Sequence, residues 1–211
     1  MSNTERKDAG LVYNPNDSSL MAQQNAALEL LYDFNMTRPS QSDERATLLK
    51  RMFASIGENC YLEPPFHANW GGANVTFGHG VYANFNLTLV DDGQITVGNN
   101  VMFGPNVVVT TAGHPILPEL RVRAAQYNLP VQIGNNVWIG SGVQIMPGVT
   151  IGDNTVVGAG SVVTRDLPAD VVAVGSPCRV VREIGHHDRR FSSRDRPFDM
   201  PIEQVLGLFD E

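Results

Sequence analysis

The sequence is poor in cysteine and in long apolar runs. Its 211 residues include only two cysteines, Cys60 and Cys178, which fits a reducing compartment better than a disulfide framework. No uninterrupted apolar run approaches the length of a membrane span, and the opening residues, MSNTERKDAG, lack the apolar region of a signal peptide. We therefore expect a cytoplasmic protein with no membrane partner.

The sequence also lacks an excess of positive charge. Its net charge is −7 at pH 7, and charged residues make up 18% of the chain. Nucleic-acid binding generally relies on basic surfaces that neutralise phosphates, so this balance argues against a nucleic-acid partner. The hydrophobic fraction of 42% is ordinary for a globular protein, and the length suits one substantial domain with a short appendage.

Apolar side chains recur at helical spacing in the first quarter of the chain. A first helix is expected from Ser18 and has to end before Pro39. A second is expected from Ser42 to Gly57, where the glycine stops it. The apolar face of the second helix comprises Leu48, Leu49, Met52, Phe53 and Ile56. We assign residues 1–60 to an N-terminal helical segment that packs on a larger body.

A six-residue repeat follows, and it is strictest between residues 133 and 168. There the chain reads IGNNVW, IGSGVQ, IMPGVT, IGDNTV, VGAGSV and VTRDLP, and the same frame occurs upstream from Phe77 and from Val97. Short internal periods indicate solenoids, because each repeat supplies one short strand and one inward aliphatic side chain. Three hexapeptides per coil would form a triangular prism of about four coils, with parallel strands about 4.8 Å apart.

The competing interpretation is a β-sandwich with short strands. A sandwich predicts turns every 8 to 12 residues and fits the sixfold frame poorly. We therefore predict a mainly β protein with a parallel β-helix at residues 61–185 and a short C-terminal tail at 186–211. The tail is polar and then weakly amphipathic, which allows either disorder or a terminal helix.

The repeat is interrupted at residues 112–130, which we call the excursion. It contains three prolines and His114. A solenoid needs no such loop, so an interruption indicates a functional role. A shorter insertion lies at Asp91–Gln94. If the two insertions lie on adjacent coils, Asp92 and His114 approach one site.

Several motifs together resemble the galactoside and maltose O-acetyltransferases, a branch of the hexapeptide-repeat acyltransferases. They are YDFN at 32–35, GENCYLEPPF at 57–66, YANFNLTLVDDG at 82–93, TAGHPILPELR at 111–121, the repeat at 130–168 and GSPCRVVREI at 175–184. The resemblance implies a left-handed parallel β-helix and a homotrimer with active sites at subunit boundaries. It also implies direct transfer of an acetyl group from acetyl-CoA to a small sugar acceptor, with no metal required.

The resemblance also implies roles for individual residues. His114 matches the catalytic histidine, and Asn84 matches a catalytic asparagine near the transition state. Asp92 matches an acceptor contact, Asn69 is the nearest match to another, and Asp17 is a candidate for a third. The positions that match the CoA groove are Trp138, Ser141, Ala159, Thr164, Arg165, Arg179 and Arg182.

These roles agree with the chemistry of the side chains. An imidazole can remove the proton that makes a sugar hydroxyl a poor nucleophile. The oxyanion formed on the thioester needs fixed donors, for which the backbone N–H of Ser141 and the Asn84 side chain are candidates. Arg179 and Arg182 could bind CoA phosphates.

Other interpretations of the same residues stay open. Asn84 could belong to an asparagine ladder along the solenoid, and Asp92 could stabilise a tight turn. The acceptor could instead be an amino sugar, an oligosaccharide or an antibiotic. A non-enzymatic or zinc-binding solenoid is the remaining class, but it would need several histidines on adjacent coils, and His114 has no such companion.

Overall fold

The computed structural model describes residues 1–209, so the last two residues of the predicted tail, 210 and 211, lie outside the described residues. Its body is a parallel β-solenoid with three faces. The helices are α1 Asn3–Asp8, α2 Ser18–Asn35, α3 Ser42–Met52, α4 Pro118–Arg121 and α5 Ile202–Leu206, and the 3-10 helices are η1 His186–Arg189 and η2 Gly207–Phe209. No helix within residues 1–209 is long and apolar enough to span a membrane.

Each complete coil contributes one strand to each face, and face 2 has one further strand at the C-terminal end. Face 1 consists of β1 Ser55–Ile56, β4 Val75–Phe77, β7 Ile95–Val97, β12 Val131–Ile133 and β15 Thr150–Ile151. Face 2 consists of β2 Tyr61–Leu62, β5 Tyr82–Ala83, β8 Met102–Phe103, β13 Trp138–Ile139, β16 Val156–Val157 and β18 Val171–Val174. Face 3 consists of β3 His67–Ala68, β6 Thr88–Val90, β9 Val108–Thr110, β14 Gln144–Ile145 and β17 Val162–Val163.

The mainly β, parallel β-helix fold is confirmed, with about six coils instead of the predicted four. The first coil does carry the Ile-Gly lead of the later repeats, at Ile56-Gly57, but the helical spacing of the preceding apolar residues extends to Ile56 and masks it. The predicted second helix was wrong at its end. It stops at Met52, because Ser55 and Ile56 pair in parallel with Thr76 and Phe77. The short helix α1 was not predicted.

The core is a column of aliphatic side chains closed at one end by aromatic rings. The residues that lead the hexapeptides, such as Ile139 and Ile145, are fully buried. At the first coil Phe53 packs against Phe66 and edge-on against Phe77, with ring centroids 5.8 Å and 5.0 Å apart. Phe34 of α2 packs on Phe66 as well. The N-terminal helices therefore cover apolar surface that the first coil would otherwise expose.

Asparagines form the turns where the chain passes from face 1 to face 2. Asn100, Asn136 and Asn154 have φ between 54° and 60°, a left-handed conformation that asparagine tolerates better than most residues. Their side chains bond along the stack: Asn136 Nδ2 donates to Asn154 Oδ1 at 3.0 Å, and Asn154 Nδ2 donates to Asp170 Oδ1 at 2.8 Å. This edge is therefore a structural ladder.

The excursion leaves the solenoid after β9 and returns at β12. It forms a two-stranded antiparallel ribbon of β10 Ala112–Gly113 and β11 Tyr127–Asn128, with α4 at its tip. At the far end of the prism, β19 Arg179–Glu183 folds back antiparallel on β18. The tail then forms η1, a hairpin of β20 Phe191–Ser193 and β21 Arg196–Pro197, and α5.

Candidate active site

Three of the predicted site residues follow strands of face 3. Asn69 comes directly after β3, Asp92 shortly after β6, and His114 directly after β10 in the excursion that follows β9. Because β3, β6 and β9 are stacked in parallel, these residues lie at one edge of the prism, where the chain passes from face 3 to face 1. We call it the 3/1 edge.

Asp92 is the centre of a buried polar network at this edge. Only 4% of it is exposed, and its carboxylate accepts three side-chain hydrogen bonds. Asn69 Nδ2 donates to Oδ2 at 2.8 Å, while Gln126 Nε2 at 2.9 Å and Trp70 Nε1 at 3.3 Å donate to Oδ1. A carboxylate offers about four acceptor positions, so one position on Oδ2 is left for a further donor.

The neighbouring Asp91 holds the connector between the first two coils, which is the segment from the end of β3 to the start of β4. Its Oδ1 accepts from the backbone N–H of Trp70 at 2.6 Å, and its Oδ2 accepts from that of Gly72 at 3.0 Å. Its own carbonyl accepts from Asn74 Nδ2 at 2.7 Å. Burial raises the pKa of Asp91 to about 6, although the backbone hydrogen bonds oppose that shift. The connector in turn places Asn69 and Trp70 against Asp92.

His114 is exposed, and one of its ring nitrogens is held by the backbone. Its Nδ1 lies 2.9 Å from the carbonyl oxygen of Ala125. A carbonyl only accepts, so this contact places the proton of the neutral ring on Nδ1 and leaves Nε2 with a lone pair. Ala125 is covalently joined to Gln126, which bonds Asp92. The imidazole and the carboxylate are thus held by consecutive residues of the excursion.

Asn84 lies at a different edge, where the chain passes from face 2 to face 3. It follows β5, and its Oδ1 accepts from the backbone N–H of Phe85 at 2.8 Å. Among the described residues the side-chain ladder at this 2/3 edge runs instead through Asn86, whose Nδ2 donates to Asn106 Oδ1 at 3.0 Å. The ladder interpretation of Asn84 is therefore not supported.

Two of the predicted CoA-groove residues stack above Asn84 at the 2/3 edge. Ser141 follows β13 and Ala159 follows β16, and both strands belong to the same ladder as β5. Backbone contacts are close here: a Cβ on Gly104 would lie 2.7 Å from the amide nitrogen of Ser141. That amide makes no hydrogen bond among the described residues. Trp138, on face 2 beside this column, is 52% exposed.

The remaining CoA-groove predictions lie elsewhere. Thr164 and Arg165 follow β17, at the 3/1 edge, and both are exposed. Arg179 and Arg182 lie on β19 at the end of face 2. The guanidinium of Arg182 already forms a bidentate pair with Asp188, at 2.7 Å and 2.8 Å, so a phosphate would have to compete with that carboxylate.

Asp17 caps the N-terminus of α2. Its Oδ1 accepts from the backbone N–H and the hydroxyl of Ser19, and its Oδ2 accepts from Asn3 Nδ2 at 3.0 Å. These hydrogen bonds, chiefly that from Ser19, lower the pKa of Asp17 to about 2. The observed role is structural, and contact with an acceptor stays a prediction.

Most of the predicted residues lie at two edges of one prism, while Trp138, Arg179 and Arg182 lie on face 2 and Asp17 caps α2. Asn84, Ser141 and Ala159 lie at the 2/3 edge, and the His114 and Asp92 group lies at the 3/1 edge. Between residues 1 and 209 no cluster of three or more His, Cys, Asp or Glu side chains is placed to bind a metal ion.

Sequence reasoning missed four members of the Asp92 network, namely Tyr13, Trp70, Gln126 and Asn128, whose Nδ2 donates to the Asp92 carbonyl at 3.0 Å. Tyr13 lies near the N-terminus, Trp70 in a connector and Gln126 and Asn128 in the excursion, and none of them belongs to the repeat. One sequence feature could have indicated such a network, namely the pair of aspartates that follows an apolar strand. Two adjacent carboxylates that are buried need hydrogen-bond donors from elsewhere in the chain.

Comparisons with known proteins agree with this architecture. Residues 130–165 match the family described as bacterial transferase hexapeptide (six repeats), and residues 8–57 match the maltose acetyltransferase hexapeptide capping motif. The chain is 55% identical over 189 residues to a galactoside O-acetyltransferase of Lactococcus lactis, covering 90% of this chain and 91% of that protein. It is 48% identical over 192 residues to the galactoside O-acetyltransferase of Escherichia coli, covering 91% and 94%.

Solved structures are similar over nearly the whole chain. A galactoside acetyltransferase in complex with coenzyme A superposes with a TM-score of 0.91 at 47% identity, covering 95% of this chain and 100% of that one. A hexapeptide-repeat acetyltransferase of Vibrio cholerae, complexed with acetyl coenzyme A, superposes with a TM-score of 0.80 at 31% identity, covering 88% and 100%.

Asp91→Asn tests the carboxyl that holds the connector. Its pKa is raised from 3.8 to about 6, so the folded protein binds this proton more tightly than the unfolded chain does. The resulting stabilisation is complete below about pH 4 and is lost as the pH rises through about 6, by up to about 3 kcal/mol. Urea titrations at a series of pH values and one protein concentration should show this loss in wild type and not in Asp91→Asn.

The control for this prediction is Asp43→Asn, which changes an exposed aspartate of α3. It should retain the pH dependence of the wild type. If Asp91→Asn and wild type lose stability equally between pH 4 and pH 6, the buried carboxyl is not the cause.

Proposed function

Because the chain belongs to the galactoside and maltose O-acetyltransferase family of hexapeptide-repeat proteins, as predicted, we propose that it transfers the acetyl group of acetyl-CoA to a sugar hydroxyl, with His114 as general base. The observation that carries this proposal is the excursion itself. Consecutive residues, Ala125 and Gln126, hold the imidazole of His114 and the carboxylate of Asp92. A proton acceptor and a hydroxyl-binding group are thereby kept at one edge.

The reaction is a direct acyl transfer. Nε2 of His114 takes the proton of the sugar hydroxyl as its oxygen attacks the thioester carbonyl, forming the C–O bond. The C–S bond then breaks, and the departing CoA sulfur takes the proton from the imidazolium. The sugar is held by Asp92, whose free position on Oδ2 accepts from a neighbouring hydroxyl, and by the exposed amide of Asn69.

Charge that develops on the carbonyl oxygen needs donors on the opposite side. The backbone N–H of Ser141, which has no partner among the residues described, and the side chain of Asn84 are our candidates. Gly104 supports this role, because any larger residue there would approach the Ser141 amide nitrogen. Trp138, Ala159, Thr164, Arg165, Arg179 and Arg182 are our candidates for the CoA groove.

In a single chain, His114 and Asp92 lie at one edge of a rigid prism, and the proposed oxyanion donors lie at another. We therefore propose that the active protein is a trimer. The 2/3 edge of one subunit would face the 3/1 edge of the next, and each boundary would contain one complete site. Face 2 supports this arrangement. It carries a stripe of exposed large side chains in register, a feature typical of interaction surfaces: Tyr61, Tyr82, Met102 and Trp138.

Thiol release from acetyl-CoA in the presence of galactosides, glucosides, maltose or amino sugars tests the proposed activity. We expect release with at least one neutral sugar and a product that mild alkali hydrolyses, because esters are labile and amides are not. Release only with amino sugars, giving an alkali-stable product, would show an N-acetyltransferase. If no sugar raises thiol release above the background measured without an acceptor, sugar acetylation is excluded.

His114→Ala should lower kcat by about 100-fold to 10,000-fold, because the hydroxyl loses its general base. Binding of CoA, measured by calorimetry, should be unchanged. His79→Ala is the matched control, since it removes an exposed imidazole at the edge between faces 1 and 2, away from both groups. Near-normal turnover by His114→Ala would refute the catalytic assignment.

Subunit complementation tests whether the site is shared. His114→Ala and Asn84→Ala should each be nearly inactive alone. If each site takes its histidine from one subunit and its asparagine from the next, random mixing of the two inactive chains restores about a quarter of the sites. Mixing after unfolding and refolding together, followed by the thiol assay, measures this. Absence of any recovery, with mixed oligomers demonstrated, would place both residues in one subunit's site.

A further inference from the structure

Gln126 lies where the N-terminal segment, the excursion and the acceptor carboxylate meet. It is 7% exposed, and its Nε2 donates to Asp92 Oδ1 at 2.9 Å and to the Tyr13 hydroxyl at 2.6 Å. We propose that Gln126 is a positioning residue that fixes Asp92 relative to His114 and so determines how tightly the sugar acceptor binds. This inference rests on the function proposed above.

The ribbon of the excursion places Gln126 opposite His114. Its strands pair Ala112 with Asn128 and Gly113 with Tyr127. The next pair in the same antiparallel register is His114 with Gln126. A displacement of Gln126 would therefore move both the carbonyl of Ala125, which holds the imidazole, and the amide that holds Asp92.

The N-terminal segment fixes the backbone of Gln126 from its other side. The N–H of Tyr13 donates to the Gln126 carbonyl at 2.8 Å, and the N–H of Gln126 donates to the Tyr13 carbonyl at 3.1 Å. Burial raises the pKa of Tyr13 to about 12, so its hydroxyl is neutral near pH 7 and adds no charge beside Asp92. The main chain of Gln126 is thereby held, and its side chain has to reach Asp92 from a defined point.

The amide group suits this position better than other side chains would. Its Nε2 carries two hydrogens, which match the two close acceptors, Tyr13 and Asp92. A third contact, to Asn128 Oδ1, is longer at 3.3 Å. Without the Gln126 donor, Oδ1 of Asp92 would keep only the 3.3 Å bond from Trp70, and the buried carboxylate could turn away from the acceptor. A carboxylate with fewer donors is also costly to bury.

Gln126→Leu tests the proposal by steady-state kinetics with the best acceptor from the thiol assay. Hydrogen bonds to charged groups are worth more than neutral ones, so we expect the acceptor KM to rise about tenfold or more. The KM for acetyl-CoA should stay unchanged, because the 2/3 edge is not altered. The matched control is Gln132→Leu, the same change at an exposed position of β12 on face 1, which should leave both KM values unchanged.

Gln126→Glu separates hydrogen bonding from shape. It keeps the size of glutamine but brings a second carboxylate against Asp92 and the Tyr13 hydroxyl, the two titratable groups that contact this position. We expect a raised acceptor KM near pH 8 that falls again towards pH 5, because one proton shared by two adjacent carboxylates restores a hydrogen bond. Wild type and Gln126→Leu should not show this recovery. A purely structural role would not produce it.

The outcomes distinguish the two proposals. If wild type releases no thiol with any sugar, the proposed function fails, and this inference fails with it. If wild type acetylates a sugar but both Gln126 variants keep the acceptor KM, only the positioning role is refuted. If Gln126→Leu unfolds, Gln126→Glu decides the question: a pH-dependent acceptor KM supports the role, and a pH profile like that of wild type refutes it.

Discussion

Each coil of the solenoid is joined to the next by backbone hydrogen bonds between parallel strands, and this stacking constrains where every side chain can lie. The register is uniform along face 2, where Ala83, Phe103, Ile139, Val157 and Ala173 succeed one another. Residues that follow equivalent strands therefore share an edge whatever their separation in sequence. A close-packed aliphatic core makes the prism stiff, so groups at different edges cannot approach each other by a small movement.

The 3/1 edge departs from this regularity, because two insertions lie there. A buried network of hydrogen bonds stabilises it. Asp91 and Asp92 are almost fully buried, which would be unfavourable without donors. Those donors come from a connector and from the excursion, and the Tyr13 hydroxyl in turn accepts from Gln126. The network therefore joins segments that the repeat alone would leave separate. The described residues contain no buried side-chain nitrogen or oxygen without a hydrogen-bond partner. Full satisfaction of such a network fixes one arrangement of the site.

The division of the candidate site between two edges connects the fold with the proposed activity. The proposed catalytic base, His114, and the carboxylate proposed to bind the acceptor, Asp92, occupy one edge, and the proposed oxyanion donors occupy another. Neighbouring copies of the same prism can bring these edges together without distorting either. The exposed apolar stripe on face 2 lies beside the edge that would be covered. Assembly and chemistry are then linked, because an isolated chain would hold only half of each site.

The repeat, read from the sequence, determined that the chain forms a parallel solenoid, and the interruption of that repeat indicated His114 as a candidate catalytic residue, which stays a prediction. Those features are local, because a side chain every six residues and the loss of that period are visible in one stretch of chain. The first coil escaped notice because the helical spacing of apolar residues continues as far as Ile56, which also leads that coil. The helix α3 ended early because Ser55 pairs with a strand of the next coil.

Only the tertiary structure decided which residues surround Asp92 and which edge holds Asn84. Tyr13 and Gln126 are 113 positions apart, yet their side chains bond directly. The pairing of Arg182 with Asp188 is equally absent from the repeat pattern. Such contacts depend on how connectors, the N-terminal segment and the tail pack around the prism. A periodic signal cannot encode them, because they are made by the residues that do not repeat.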